Sequence, residues 1–363
     1  MNKRKLRKAI RRLMHLPRGK FFVLYFANKI KHFYLKLIKS TKVAYPSTIM
    51  LELTNHCNLA CTTCPREYDY GKSMDKGNMN AESAKKIIDE IWPYLDSIGL
   101  TGMGETFIYK DIEDIVNYIK KKNKGIVISV STNAVLPNFL QSATPLLGKI
   151  DTIQISIDGL ENVYEQIRKK SNFKLLDENL RKLVKLASNT DTDIMLNMVV
   201  TKENYHHMSL LVEYAKVIGI KYVDFTLFNL VSVTDIEQSY YNFYESVEFQ
   251  KSVEDLENTI KNVPEVLVNE RNFKTDNSFQ KCPFPWTHFY ISWDGYMPPC
   301  CAKPFPKELN FGNVNNKKVI DILNSNEYKD FRNMWFKNCP PDFCYKCHFI
   351  DIKPIKPTEN KRN

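Results

Sequence analysis

The sequence predicts an α/β chain: a partial (β/α)6 barrel of the TIM type, followed by a small cysteine-rich module. Three observations predict it. Across residues 46–228 short apolar runs alternate with amphipathic helical patterns, the mark of a parallel sheet with helical crossovers. Nine cysteines fall into two groups, three within residues 57–64 and six within 282–347. The length of 363 residues accommodates one barrel of about 200 residues and a smaller unit.

Residues 1–46 read as a basic arm. The first 51 residues hold fourteen Lys or Arg and no acid, so the rest of the chain carries −3, the overall +11 less the fourteen of the arm. A uniformly basic nucleic-acid surface is therefore not expected, and no nucleic-acid partner is assigned. Lys3, Arg4, Lys5, Arg7, Lys8, Arg11 and Arg12 alternate with Leu6, Ile10, Leu13 and Met14 at helical spacing. The apolar run at 21–27 is too short to span a bilayer, and Lys and Arg stand where a signal peptide needs a cleavage region. Such an arm suits peripheral contact with an anionic membrane; the alternative is a helical extension packed on the barrel with solvated lysines. Nine cysteines without a secretory signal or a disulfide-scaffold composition point to a reducing, cytoplasmic setting, with membrane-surface association left open by the arm.

The barrel occupies residues 47–228. Its strands are expected at 47–54, 97–101, 126–131, 152–157, 193–200 and 221–228, with helices at 81–95, 112–122, 136–147, 163–167, 176–188 and 205–218 between them. Residues 229–280 read as a tyrosine-rich helical bridge, 281–350 as the cysteine-rich module and 351–363 as a short tail. Chemistry on barrels gathers at the C-terminal strand ends, and the motifs below fall there.

Directly after the first strand comes Cys57-Asn58-Leu59-Ala60-Cys61-Thr62-Thr63-Cys64. Iron–sulfur clusters usually take four thiolates, so a local set of three leaves one iron with an open position for a ligand. A zinc knuckle or three core cysteines is the plainer alternative; no fourth Cys stands nearby, and His56 abuts Cys57 awkwardly for a tetrahedral site. This spacing after a first barrel strand resembles the radical S-adenosylmethionine (SAM) superfamily.

Further motifs carry the resemblance along residues 47–350. The turn Gly102-Met103-Gly104-Glu105 follows the second strand; two glycines let backbone approach a ligand closely, with Glu105 as a countercharge. It resembles the family's Gly-Gly-Glu-Pro element, which implies contact with the SAM amino group, although Met103 and Thr106 depart from that pattern. The fourth strand ends in Ser156-Ile157-Asp158-Gly159, with Arg168 on the next helix. On their own Asp158-Gly159 is a helix-start turn and Arg168 a solvated charge. In the family, the Ser-x-Asp-Gly element lines the SAM pocket and the Arg binds the SAM carboxylate. Asn197 is an inward strand candidate without an assigned role, and Thr63 stands where many members place an aromatic on the adenine.

The later cysteines resemble the SPASM/twitch modules that bind auxiliary clusters in this superfamily. Twelve residues separate Cys282 from Gly295 and four separate Gly295 from Cys300, as in that module's opening. Two full clusters need seven or eight thiols and six are present, so the resemblance implies one auxiliary 4Fe-4S cluster on Cys282, Cys300, Cys344 and Cys347, with Cys301 and Cys339 spare. A four-thiolate zinc ribbon is the alternative.

The resemblance implies that a 4Fe-4S cluster on Cys57, Cys61 and Cys64 binds SAM and cleaves it reductively. The resulting radical abstracts a hydrogen atom from substrate, and the auxiliary cluster accepts an electron. The expected activity is thus a radical SAM oxidoreductase supplied by a donor such as flavodoxin or ferredoxin. Lacking a recognisable peptide-binding domain, the sequence leans toward a sugar or small polar metabolite. The alternatives are an epimerase using a spare thiol, a peptide-maturation enzyme, or a non-catalytic zinc-stabilised docking protein.

Overall fold

In the computed structural model, which describes residues 3–269 and 282–347, eight parallel strands form one sheet. They are β1 (Thr48–Leu51), β2 (Ser97–Gly99), β3 (Val127–Thr132), β4 (Thr152–Ser156), β5 (Asp193–Val200), β6 (Tyr222–Leu227), β7 (Leu267–Asn269) and β8 (Phe289–Ile291). The spatial order is β8-β1-β2-β3-β4-β5-β6-β7, and every neighbouring pair is parallel. The six expected strands are all present. Two short ones join them: β7 extends the β6 edge from within the segment read as a bridge, and β8 extends the β1 edge from within the cysteine-rich segment. Runs of three residues carry too little alternation to stand out in sequence.

The sheet exists because β-branched and aliphatic residues occupy alternate positions. Ile49, Leu51, Ile98, Ile128, Val130, Ile153, Ile155, Leu196 and Met198 are buried in one continuous core with the apolar faces of α3 (Ala81–Ile91), α4 (Ile112–Lys122), α7 (Phe173–Ala187) and α8 (Met208–Ile218), the short helices α5 (Phe139–Ala143) and α6 (Glu161–Ile167) coming between α4 and α7 in the chain. Each such side chain contributes about 1.5–3 kcal/mol by leaving water. Local signals set the helix ends. Asn80 caps α3 by accepting from the amides of Glu82 and Ser83, and Gly219, at φ +81°, closes α8 in the left-handed conformation that glycine tolerates best.

The arm forms α1 (Lys3–Met14) and α2 (Lys20–Leu37), both docked at the N-terminal ends of the strands. Arg12 and Lys29 pair with Asp96, which precedes β2, and Arg11 pairs with Asp151, which precedes β4. Tyr25 donates to Asp96 at 2.7 Å. Among the described residues no helix is long and apolar enough to cross a membrane. The tail at 351–363 lies outside the described residues.

Three further helices follow in the chain, α9 (Val247–Asn262), α10 (Val319–Leu323) and α11 (Asn326–Phe336). Arg332, on α11, has no exposed surface and donates to the carbonyls of Pro285, Thr41 and Leu323. It stacks on Tyr328 with 4.1 Å to the ring centroid, so three distant segments meet on one guanidinium.

Candidate functional site

The chain leaves β1 through a loop fixed before it reaches the first thiol. Asn55 donates to the carbonyl of Asp75 at 2.7 Å and accepts from the amide of Gly77 at 2.9 Å, while Thr54 accepts from the amide of His56 at 3.1 Å. The thiol loop is then held from across the mouth. Ala60–Cys61 pairs antiparallel with Arg168–Lys169, and Thr62 donates to Ile167 at 2.8 Å. A turn bond from Cys64 to the carbonyl of Cys61 sets the last two thiols against each other.

Cys61 is buried and Cys57 and Cys64 are partly exposed. Burial pushes all three thiols up, Cys61 to about 12 and Cys64 to about 11; neighbouring thiols add to it at Cys61 and Cys64, and Glu105 adds to it at Cys57. Arg66 and Arg168 act in the other direction on Cys57 and Cys64. Three adjacent thiols that resist ionisation in this setting fit a centre of positive iron, which would compensate the thiolates.

The Gly102–Glu105 turn lies against this loop. A Cβ on Gly104 would stand 2.3 Å from the carbonyl oxygen of Thr54 and 2.7 Å from that of His56, so only glycine lets the two backbones meet. A Cβ on Gly102 would strike the Glu52 side chain at 2.2 Å. Arg66 donates to the carbonyl of Met103 at 3.2 Å, and the amide of Glu105 to His56 at 2.8 Å. The Glu105 carboxylate is buried and accepts from Thr132 and the Asn133 amide, both at 2.7 Å, and from the Phe107 amide at 3.2 Å. Glu105 thus ties the second strand end to the third. Asn133, whose short polar side chain at the end of the third strand suits hydrogen-bonding a ribose or carboxylate, donates to Asn58 at 2.9 Å and approaches the Cys57 sulfur at 3.9 Å.

Arg168 sits one residue beyond the helix Glu161–Ile167. It pairs with fully buried Asp158 at 2.9 Å and points at the Cys61 sulfur at 3.7 Å. Burial would lower its pKa, but Asp158 and the nearby thiols more than offset this, so the guanidinium stays charged. Burial raises the Asp158 carboxyl, which also accepts from the Val199 amide at 2.8 Å. Ser156 ends β4, partly exposed and in register with Asn197. The Nε of Arg168 and the Oδ1 of Asn197 are buried without a hydrogen-bond partner. An orphaned guanidinium nitrogen beside Cys61 fits a bound polar ligand.

The second thiol group assembles from three segments. Cys282, Cys300, Cys344 and Cys347 line one small apolar cavity of about 30 Å³ with Val231, Trp335 and Phe343. Burial pushes Cys282 up to about 12, and it raises Cys300 and Cys344 as well. Asn229 donates to the Cys347 sulfur at 3.4 Å. Cys301 does not line this cavity, and Cys339 is exposed.

Between the barrel mouth and the cysteine-rich segment lies an open cleft of about 250 Å³, lined in part by Glu52, Asn55, Met103, Trp293 and Phe305. Glu52 is missing from the sequence-derived site, although an acid within an apolar strand run was a usable signal. Its carboxylate is buried and accepts from the amides of Met103 and Trp293 and from the Tyr290 hydroxyl. Burial moves its pKa from 4.5 to about 7.

Residues 51–215 match the model of the radical SAM superfamily, and residues 282–348 match the SPASM iron–sulfur cluster-binding domain. A Pyrococcus furiosus relative, the tungsten-containing aldehyde ferredoxin oxidoreductase cofactor-modifying protein, is 27% identical over 323 residues, covering 84% of this chain and 87% of the relative. The Bacillus subtilis antilisterial bacteriocin subtilosin biosynthesis protein AlbA is 23% identical over 313 residues; the match covers 84% of this chain and 65% of AlbA. Among solved structures, Streptococcus suis SuiB bound to precursor peptide SuiA superposes with a TM-score of 0.63 at 17% identity, covering 84% of this chain and 70% of SuiB. At that identity it speaks for the fold.

Proposed function

This chain belongs to the radical SAM superfamily and carries a C-terminal SPASM domain, and from that membership we propose that it is a maturase that oxidises a precursor peptide. Its enzymatic class and its iron–sulfur and SAM cofactors follow from the two domains, which set aside the non-catalytic zinc alternative. The relatives bear on the substrate. AlbA is named for bacteriocin biosynthesis, which favours the peptide-maturation alternative over the sugar or small metabolite toward which the sequence leans.

The observation that carries the reading is the cleft that opens between the barrel mouth and the cysteine-rich segment. It shares Met103 and Asn55 with the elements bracing the first group, and it is bounded by the segment that includes the second. In it an extended peptide would lay one side chain at the barrel mouth.

In this reading Cys57, Cys61 and Cys64 hold one 4Fe-4S cluster, and Cys282, Cys300, Cys344 and Cys347 hold an auxiliary one. When bound, the cofactors supply one-electron reduction and hydrogen-atom abstraction. The chain's own residues orient and shield. Gly102 and Gly104 bring the Met103 backbone to the ligand, Ser156 and the Arg168 Nε face its polar groups, and Asp158 and Glu105 hold Arg168 and the turn in place. A flavodoxin- or ferredoxin-type donor, a cytoplasmic setting and peripheral contact of the arm with a membrane complete the reading.

The test is anaerobic incubation of the reconstituted enzyme with dithionite, SAM and a precursor peptide encoded beside its gene. Expected products are 5′-deoxyadenosine and a peptide lacking two hydrogens. SAM cleavage with an unchanged peptide and consumption of a small metabolite would return the substrate to the sugar class; no SAM cleavage would sink the radical chemistry.

A further inference from the structure

We infer that the outer face of α2, with the end of α1, is a docking surface for an anionic lipid bilayer, and that docking turns the barrel mouth away from the lipid. The inference rests on the peripheral-contact part of the reading above and is independent of its chemistry.

One face of α2 is committed to the barrel. Tyr25 and Asn28 are buried, Asn28 exchanges two hydrogen bonds with the Tyr45 backbone, and Phe21 packs on Trp92 with 4.5 Å between ring centroids. The opposite face carries Val23, Phe26, Ile30, Phe33 and Leu37, a 3-4-3-4 repeat that forms a single stripe. All but Phe26 are at least 65% exposed, and Leu13 and Met14 at the end of α1 are 69% and 72% exposed. The described residues keep their other large apolar side chains mostly scattered, whereas this strip is contiguous along a helix. Such strips mark interaction surfaces.

Charge selects the occupant. On a repeat of about 100° per residue, Lys20 and Lys31 fall on one flank of the stripe and Lys36 on the other. Lysines in those positions extend their heads to phosphates while the stripe enters the acyl boundary. A second copy of the chain would set the same cations against each other, since the first 51 residues contain no acid to pair with them. An anionic bilayer meets both demands. With 18 residues, α2 spans about 27 Å lying in the interface, and no described helix has the apolar length to cross.

Orientation follows from strand direction. The arm anchors on Asp96 and Asp151, immediately before β2 and β4, whereas Glu52, Asn55 and Met103 of the cleft follow the C-terminal ends of β1 and β2. In a parallel sheet these are opposite ends, so a docked arm leaves the cleft open to the aqueous side.

The full reconstituted enzyme should co-sediment with phosphatidylcholine vesicles that contain phosphatidylglycerol and not with phosphatidylcholine alone. Each lysine near an anionic surface contributes about a factor of five, so the triple variant K20Q/K31Q/K36Q should bind about a hundredfold more weakly at low salt. The double variant Ile30→Ser with Phe33→Ser should lose binding while still cleaving SAM. Hydrogen exchange on adding vesicles should slow over residues 20–38 and stay unchanged over 70–75 and 304–310. Equal binding to both vesicle types, no binding to either, or full binding by the triple variant would overturn the proposal. So would protection at the cleft, or a mass of two chains by light scattering that the serine variant returns to one. Loss of SAM cleavage by the parent enzyme would count against the functional reading alone.

Discussion

Glu52 lies between Leu51 and Leu53, both in the core, and its own side chain points to the cleft end of the sheet, where it is only 3% exposed. Three donors satisfy it, yet burial dominates and brings its pKa to about 7 from 4.5. The folded state therefore holds a proton in a range where the unfolded chain has released it. Stability from this group is full below the ordinary value and is lost as pH rises through about 7, by roughly 3 kcal/mol in total. Glu52→Gln removes the dependence. Urea midpoints of parent and variant should differ by less at about pH 5 than at about pH 8, with the variant more stable at the higher pH. An unchanged difference between the two pH values would place the titration elsewhere. The acid was legible in the sequence as an interruption of an apolar strand; its partners were not, because Tyr290 and Trp293 are more than two hundred positions away.

At the scale of elements, the thiol loop works because its neighbours hold it from outside. Residues 75–77 hold its approach through Asn55, Ile167 accepts from Thr62 within it and Asn133 donates to its Asn58, while Gly104 lets the second turn lie directly on it. Gly104→Ala pushes a methyl into the carbonyls of Thr54 and His56, where neither backbone can yield without moving the loop. The expected cost is about 1–3 kcal/mol. Iron bound at the first site should fall in step, read as the visible absorbance that remains when Cys282 and Cys344 are also replaced by Ala. Full absorbance in that background would show that the loop tolerates the shift. The C-x3-C-x2-C spacing and the two glycines were readable from sequence because they are local. The roles of Glu105 and Asn133 were not, since both depend on which strand end lies beside which.

For the whole molecule, the proposed function places one four-iron cluster on each of the two thiol groups. Reconstituted protein should carry about eight irons, falling to about four on replacing any one of Cys282, Cys300, Cys344 or Cys347 by Ala, while Cys301→Ala and Cys339→Ala leave it unchanged. Iron analysis with quantitation of the chain decides it; a drop to four with Cys301→Ala would move that thiol into the ligand set. The same scale holds the arm, whose lysines and apolar spacing are plain in sequence.

What the sequence alone determined was everything carried by short range: six of the eight strands, the three-thiol loop and its two companion glycines, and a basic arm with no acid. What the tertiary structure decided was everything that depends on distant segments meeting. It brought four cysteines from three segments onto one cavity, added β7 and β8 to the sheet edges, paired Arg168 with Asp158 beneath Cys61, and turned the apolar stripe of α2 outward. The physical reason is that periodicity and turn chemistry act over a few residues, whereas burial and charge pairing depend on the packed neighbourhood, which exists only once the sheet has formed.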